Sequence, residues 1–405
     1  MKKGLQLFLG ILTAIGGFFD IGNLVTAAQA GATFRFQLLW ALALGTIIVI
    51  FLVEMSGRFA AVTKKSIPTG VREHFGVRVW IAPFAILVLL HFLTLAAELG
   101  GIAFALQLVT GISFQIWVLP VGVLVWLFLW RATFDAIEYS TATLGLIALC
   151  FVVAAFMYHP PRSDVLSGLL PSLPKQDGAK YWLYAVSIIG ALIAPYMFYF
   201  YSSGAVEDEW DKSYLMVNRI VSITGMSFGA VITAAVIIMT GLVLHPLDIG
   251  VDSINQAAFV LTGAFPFWGF LLFAASMGIA CTGAAAEVGL SLAYSTAQTF
   301  GWNWGESLEP KKDARFALTY TVAIVLAMLL MMLGIDPLKL TIYTMALNAM
   351  VLPIVSIPFL MLMNDGRLMR EFTNGIFTNA ATAIIVLISF VLFVVSIPLV
   401  IMGSG

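Results

Sequence analysis

Residues 12–31 read LTAIGGFFDIGNLVTAAQAG. The run is apolar enough to cross a bilayer, yet Asp20, Ile21, Gly22 and Asn23 stand in its middle. Such a break is tolerated in hydrocarbon only where the backbone lines a cavity or is buried in protein. Residues 182–204, WLYAVSIIGALIAPYMFYFYSSG, hold a second break. Pro195 brings no N–H and crowds the preceding turn, and Gly190 lies just before it. One proline alone reads as an ordinary kink. The pair of breaks, one carrying a carboxylate, reads as a cation site made of unwound helix near the bilayer midplane.

The rest of the chain suits such breaks. Of 405 residues, 61% are apolar and 10% charged, with a mean hydropathy of +1.02. Soluble domains carry about 25% charged residues, so a soluble enzyme, a disordered chain and a nucleic-acid binder are excluded. A net charge of −1 offers no basic surface to a polyanion. Cys150 and Cys281 lie in apolar runs, and the four histidines are scattered, so neither a disulfide framework nor a zinc spacing is present.

A membrane helix needs about 20 mostly apolar residues. Runs at 5–33, 36–56, 79–110, 115–131, 137–158, 181–203, 218–244, 265–299, 314–335, 338–363 and 379–402 meet this, predicting eleven spans in one polytopic domain, 1–405. The connectors 57–78, 159–180 and 245–264 are the longest. Pro160, Pro161, Pro171 and Pro174 predict an irregular 159–180. The first run continues through its polar break and is expected to stay in the mature chain. Of the 20 Lys and Arg, only Arg35, Arg162, Lys175, Lys180 and Lys339 fall in one set of alternate loops. The positive-inside rule therefore predicts a cytoplasmic N-terminus and an extracellular C-terminus. The short loops suit a prokaryotic inner membrane.

The breaks are five spans apart. This predicts two inverted repeats, 1–158 and 181–363, with 379–402 as an additional helix.

At the breaks the chain resembles the Nramp family of divalent-metal transporters. Asp20-Ile21-Gly22-Asn23 stands where that family has Asp-Pro-Gly-Asn. Gly190-Ala191-Leu192-Ile193-Ala194-Pro195-Tyr196-Met197 stands where it has Gly-Ala-x-x-Met-Pro-His-Asn. Glu54-Met55 with Arg58, and Leu95-Ala96-Ala97-Glu98, are similar to its second- and third-span motifs. The resemblance covers spans 1–10 and implies an all-α LeuT-type fold with broken helices 1 and 6. It further implies that these helices rock with spans 2 and 7 against spans 3–5 and 8–10.

It also implies a metal site of Asp20, Asn23 and the Ala191 carbonyl, with Ala194 where the family has a methionine. Tyr196 and Tyr201 take the places of two histidines. This pattern is similar to the Nramp-related magnesium transporters. The chemistry agrees: a thioether favours softer metals, whereas Mg2+ demands oxygen ligands and keeps several waters. Without the sulfur at 194, the site is expected to offer oxygen only and room for water. Mn2+ also accepts carboxylate, carbonyl and water. Met197 lies about one turn after position 194, beyond the proline, and is not expected to replace the missing sulfur.

Other intramembrane polar residues have two readings each. Glu98 and Glu287 either line a wet cavity with Gly22 and Tyr196 or sit protonated or hydrogen-bonded in the bundle. Asn348 could face the ion if span 10 packs beside spans 1 and 6. His91 is a proton relay or a satisfied bundle histidine. Glu54 and Arg58, at i and i+4, predict a structural ion pair. The acidic run Glu207-Asp208-Glu209-Asp211 reads as a solvated loop.

The expected function is alternating-access transport of Mg2+, and also Mn2+, into the cell without proton coupling. Tyrosine, with an ordinary pKa of about 10, is a poor proton carrier at neutral pH. A potential of about 100 mV gives roughly 4.6 kcal/mol to an entering divalent ion, twice the single-charge value. The metal is cargo, no cofactor is implied, and the only partners expected are the ion and the lipid bilayer, with no nucleic acid and no obligatory protein partner. The alternatives are a proton-coupled Mn2+/Fe2+ transporter, an intramembrane hydrolase and a channel. The hydrolase lacks a Ser/Lys, Ser/His or paired-carboxylate motif, so no enzyme is expected. The channel lacks a repeated pore-lining segment.

Overall fold

The computed structural model describes residues 20–131, 145–174, 177–305, 310 and 313–402. The described residues contain helices and no strands. In chain order the helices are α1 (Ile21–Phe34), α2 (Leu39–Thr63), α3 (Ile67–Phe75), α4 (Val77–Thr110) and α5 (Phe114–Arg131). Then come α6 (Leu149–Met157), α7 (Arg162–Gly168), α8 (Gly178–Leu192), α9 (Pro195–Glu207) and α10 (Leu215–Val243). The last are α11 (Ile254–Ala264), α12 (Gly269–Phe300), α13 (Ala314–Met332), α14 (Pro337–Asn364) and α15 (Ile376–Met402).

Eight helical stretches among the described residues are long and apolar enough to cross a membrane, counting α8 and α9 as one. They correspond to the expected spans 2, 3, 4, 6, 7, 8, 9 and 10. The first halves of spans 1 and 5 lie outside the described residues, and α1 and α6 belong to the second halves. α15 stands where the eleventh span was expected.

The connectors hold more structure than their composition suggested. Segment 159–180, expected to be irregular, carries α7, whose Asp164 pairs with Arg35 at 3.0 Å. Segment 57–78 carries α3, which begins with Pro68 in its first turn. Segment 245–264 carries α11, started by a capping box in which Ser253 and Gln256 satisfy each other's backbone N–H groups. A criterion of about 20 apolar residues passes over helices this short.

Packing divides the helices into two groups. α1 and α2 lie against α10, and α2 also lies against α8 and α9. Elsewhere α4 runs along α12, and α5 and α13 close around them. α14 touches both groups, meeting α8, α1 and α4. It approaches α8 most closely at Gly190, where a Cβ would collide with the Met345 carbonyl oxygen.

Polar contacts gather the loops at two ends, in the alternation that successive crossings require. At one end Arg58 bonds the Phe372 carbonyl at 2.6 Å and Asn374 at 2.9 Å, and Arg72 bonds the Gln298 carbonyl at 2.6 Å. Lys64 reaches the Trp210 carbonyl there, and Lys212 pairs with Glu371 at 3.3 Å. At the other end Gln29 bonds the Val251 carbonyl at 3.1 Å, His245 the Ala32 carbonyl at 3.0 Å and Tyr158 the Val260 carbonyl at 2.7 Å.

The expected Glu54–Arg58 pair forms, with Nε to Oε1 at 3.1 Å and side chains only 12% and 16% exposed. Arg58→Ala would strand a shielded carboxylate, so it is expected to cost about 3 kcal/mol. Thermal unfolding in detergent should show a lowered midpoint. The double variant Glu54→Gln/Arg58→Ala should recover part of it, because no charge is then left alone.

Candidate metal site at two helix breaks

The site is built on two helix ends. Asp20, with extended backbone, caps α1: its Oδ1 accepts from Asn23 N at 2.7 Å and from Asn23 Nδ2 at 3.0 Å. A carboxylate at a helix N-terminus also meets the positive end of the helix dipole. Gly22 lies within this first turn.

On the other side α8 stops at Leu192 and α9 starts at Pro195. In a continuous helix the N–H of residue 195 would bond the carbonyl of residue 191. Proline has no N–H, so the Ala191 carbonyl loses its helical donor. The Ala194 carbonyl is already used, accepting from Met197 N at 3.1 Å. Ala191 and Ala194 are both fully buried.

Tyr196 joins the two breaks. Its hydroxyl donates to Asp20 Oδ2 at 3.3 Å, and Asp20 is 1% exposed. Its backbone carbonyl accepts from Ser291 Oγ of α12 at 3.1 Å. Ser291 Oγ also lies 2.9 Å from His91 Nε2, and His91 Nδ1 lies 2.7 Å from the Leu87 carbonyl. His91 Nδ1 thus donates to the Leu87 carbonyl, while Nε2 and the Tyr196 carbonyl share the single Ser291 hydroxyl proton.

Glu98 of α4 is completely buried beside the Cys281 thiol of α12 and the backbone of Ile21, and neither of its oxygens makes a hydrogen bond of normal geometry among the described residues. Asp20 and Glu287 lie within electrostatic reach of it. Glu287, on α12, is 8% exposed. A cation placed among these acids would favour their charged forms. Tyr201, the second histidine replacement, is elsewhere, donating to Asn218 Oδ1 at 3.0 Å.

Asn348 is buried beside the break at Gly22: its Nδ2 donates to Met345 Sδ at 3.6 Å. Contrary to the sequence reading, the surroundings are not oxygen alone. A Cβ on Gly22 would lie 2.7 Å from Met345 Sδ and 3.1 Å from Asp20 Oδ1, so a thioether reaches the break from α14. Met345 precedes Asn348 by three residues, one turn on the same helix face. That spacing was the available signal.

Comparison with known structures matches this architecture. The manganese transporter of Eremococcus coleocola, in complex with an aromatic bis-isothiourea substituted compound, superposes with a TM-score of 0.77. The sequences are 21% identical, with 96% of this chain and 85% of that one covered. MhsT in complex with L-phenylalanine superposes with a TM-score of 0.66 at 13% identity, covering 97% of each chain. The fold is of the LeuT type.

Residues 10–398 match the model of the Nramp family, "Natural resistance-associated macrophage protein-like", and the chain belongs to that family. The divalent metal cation transporter MntH 1 of Pseudomonas aeruginosa is 27% identical over 400 residues, 93% of this chain and 88% of that protein. The divalent metal cation transporter MntH of Levilactobacillus brevis is 30% identical over 233 residues, 56% of this chain. That match spans half the length of the relative, 50%.

Ser291→Ala removes the hydroxyl shared by His91 and the Tyr196 carbonyl. A buried imidazole nitrogen is left without its partner, at a cost of about 1–3 kcal/mol. The midpoint of thermal unfolding should fall accordingly, and by less for Tyr196→Phe, which keeps the carbonyl bond.

Proposed function

We propose that this chain moves divalent metal ions across a membrane by alternating access, with Mg2+ as the main cargo and Mn2+ as a second. The divalent-metal class rests on family membership and on relatives named divalent metal cation transporters. One observation carries the site. The bond from Tyr196 to Asp20 holds together a capping carboxylate and the break whose proline frees the Ala191 carbonyl.

Asp20 is the charged ligand. Asn23 now turns its Nδ2 toward Asp20, and rotating the amide would present its oxygen to a cation instead. Ala191 offers its carbonyl. Ala194 supports the preference for Mg2+, because a methyl group there brings no soft donor from α9 and leaves room for retained water. Glu98, Glu287 and Tyr196 surround the ion at longer range. Segments 1–158 and 181–363 act as the inverted repeats, with the N-terminus in the cytoplasm and the C-terminus outside.

Transport reconstituted in proteoliposomes tests the site. Asp20→Ala is expected to abolish Mg2+ uptake and Asn23→Ala to weaken it strongly. Wild-type uptake by folded Asp20→Ala would overturn the assignment.

Coupling is tested in the same vesicles. Uptake should follow the membrane potential without moving protons, since tyrosines stand at both histidine positions. A trapped pH dye should stay constant while Mg2+ enters. Acidification of the lumen that depends on Mg2+ and disappears in Glu98→Gln would instead make Glu98 a proton carrier.

A further inference from the structure

Met345 has no part in the proposed ligand set, yet its position is closely determined. Its side chain is fully buried, and its backbone carbonyl faces Gly190, five residues before Pro195. Sulfur and terminal methyl both press on Gly22, and a Cβ there would lie 2.7 Å from one and 2.8 Å from the other. Each break thus carries a glycine against the same methionine.

The same point above Gly22 is 3.1 Å from Asp20 Oδ1, which puts the sulfur less than about 6 Å from that oxygen. A metal bound between an oxygen and a sulfur keeps the two donors less than about 5 Å apart, given bonds of about 2.0–2.3 Å to each. A small rotation of an unbranched side chain spans the difference. Asn348 Nδ2, at 3.6 Å, occupies one face of the sulfur, and a thioether has a second lone pair. A residue that only filled space at this point would need no sulfur.

We propose that Met345 is the soft donor of this site and sets its selectivity among divalent ions. Soft cations such as Cd2+ draw Met345 Sδ into their coordination. Mg2+, which prefers oxygen and water, binds without it. The thioether missing at Ala194, just before α9, is thereby supplied from α14. This inference rests on the proposed metal site, with Asp20 as its charged ligand.

The test is calorimetric titration of purified wild type, Met345→Leu and Asp20→Ala with CdCl2 and MgCl2. Leucine nearly conserves volume, so the fold should survive. Met345→Leu is expected to lose at least about tenfold in Cd2+ affinity, the low end of what loss of a metal-site group costs, with Mg2+ affinity unchanged. A Cd2+ X-ray absorption spectrum of Cys281→Ser, which removes the thiol beside Glu98, should show sulfur in the first coordination sphere. That measurement stands even if the leucine variant fails to fold. Equal losses for both ions, an unchanged ratio, or a spectrum with oxygen alone would overturn the role of Met345. Wild-type binding of both ions by Asp20→Ala would overturn the underlying site itself.

Discussion

A proline nitrogen without hydrogen is the constraint on which the centre of this molecule depends. In hydrocarbon every backbone carbonyl needs a donor, and a helix normally provides one four residues on. Pro195 withholds it from Ala191, and the chain answers by ending α8 at Leu192 and restarting at Pro195. That answer is tolerable only in a buried, polar setting. Asp20, Asn23 and Tyr196 supply the polarity, and α14 covers the break from the side of Gly190. Each of these needs the others: Asp20 caps α1 because the helix starts there, and Tyr196 reaches Asp20 because α9 starts where it does.

Much of this was legible because it is local. The lost donor at Ala191 comes from counting four back from Pro195. The i, i+4 spacing of Glu54 and Arg58 foretold their ion pair, and the geometry bears it out. The capping box of Ser253 and Gln256 was equally local, but a search for membrane-length runs does not look for an eleven-residue helix. What could not be read is the rotation of distant helices. His91 and Ser291 are 200 residues apart, and nothing in either neighbourhood says that they share a hydrogen bond. Met345 was legible only in part: its spacing puts it on the face of Asn348, but which face of α14 meets Gly22 and Gly190 depends on that rotation.

The position of α14 also changes how the two helix groups are understood. It contacts α8 and α1 on one side and α4 on the other. A helix that belongs to one group alone would leave the site with walls from two directions. One that touches both can close the site laterally. It can do so only because glycines at 22 and 190 remove the side chains that would hold it off.

Tyr196 is gripped at both ends, and this has a mechanical consequence. Its hydroxyl is tied to Asp20 of one helix group, while its carbonyl is tied through Ser291 to α12 of the other. The residue works as a lever arm one position past the break at Pro195. Displacement of α1 relative to α12 must lengthen or exchange one of these two bonds. In the proposed site, a cation arriving at Asp20 would compete for the oxygen that holds the outer end of the arm. Occupancy of that site and freedom of the break would then be governed by the same oxygen atom.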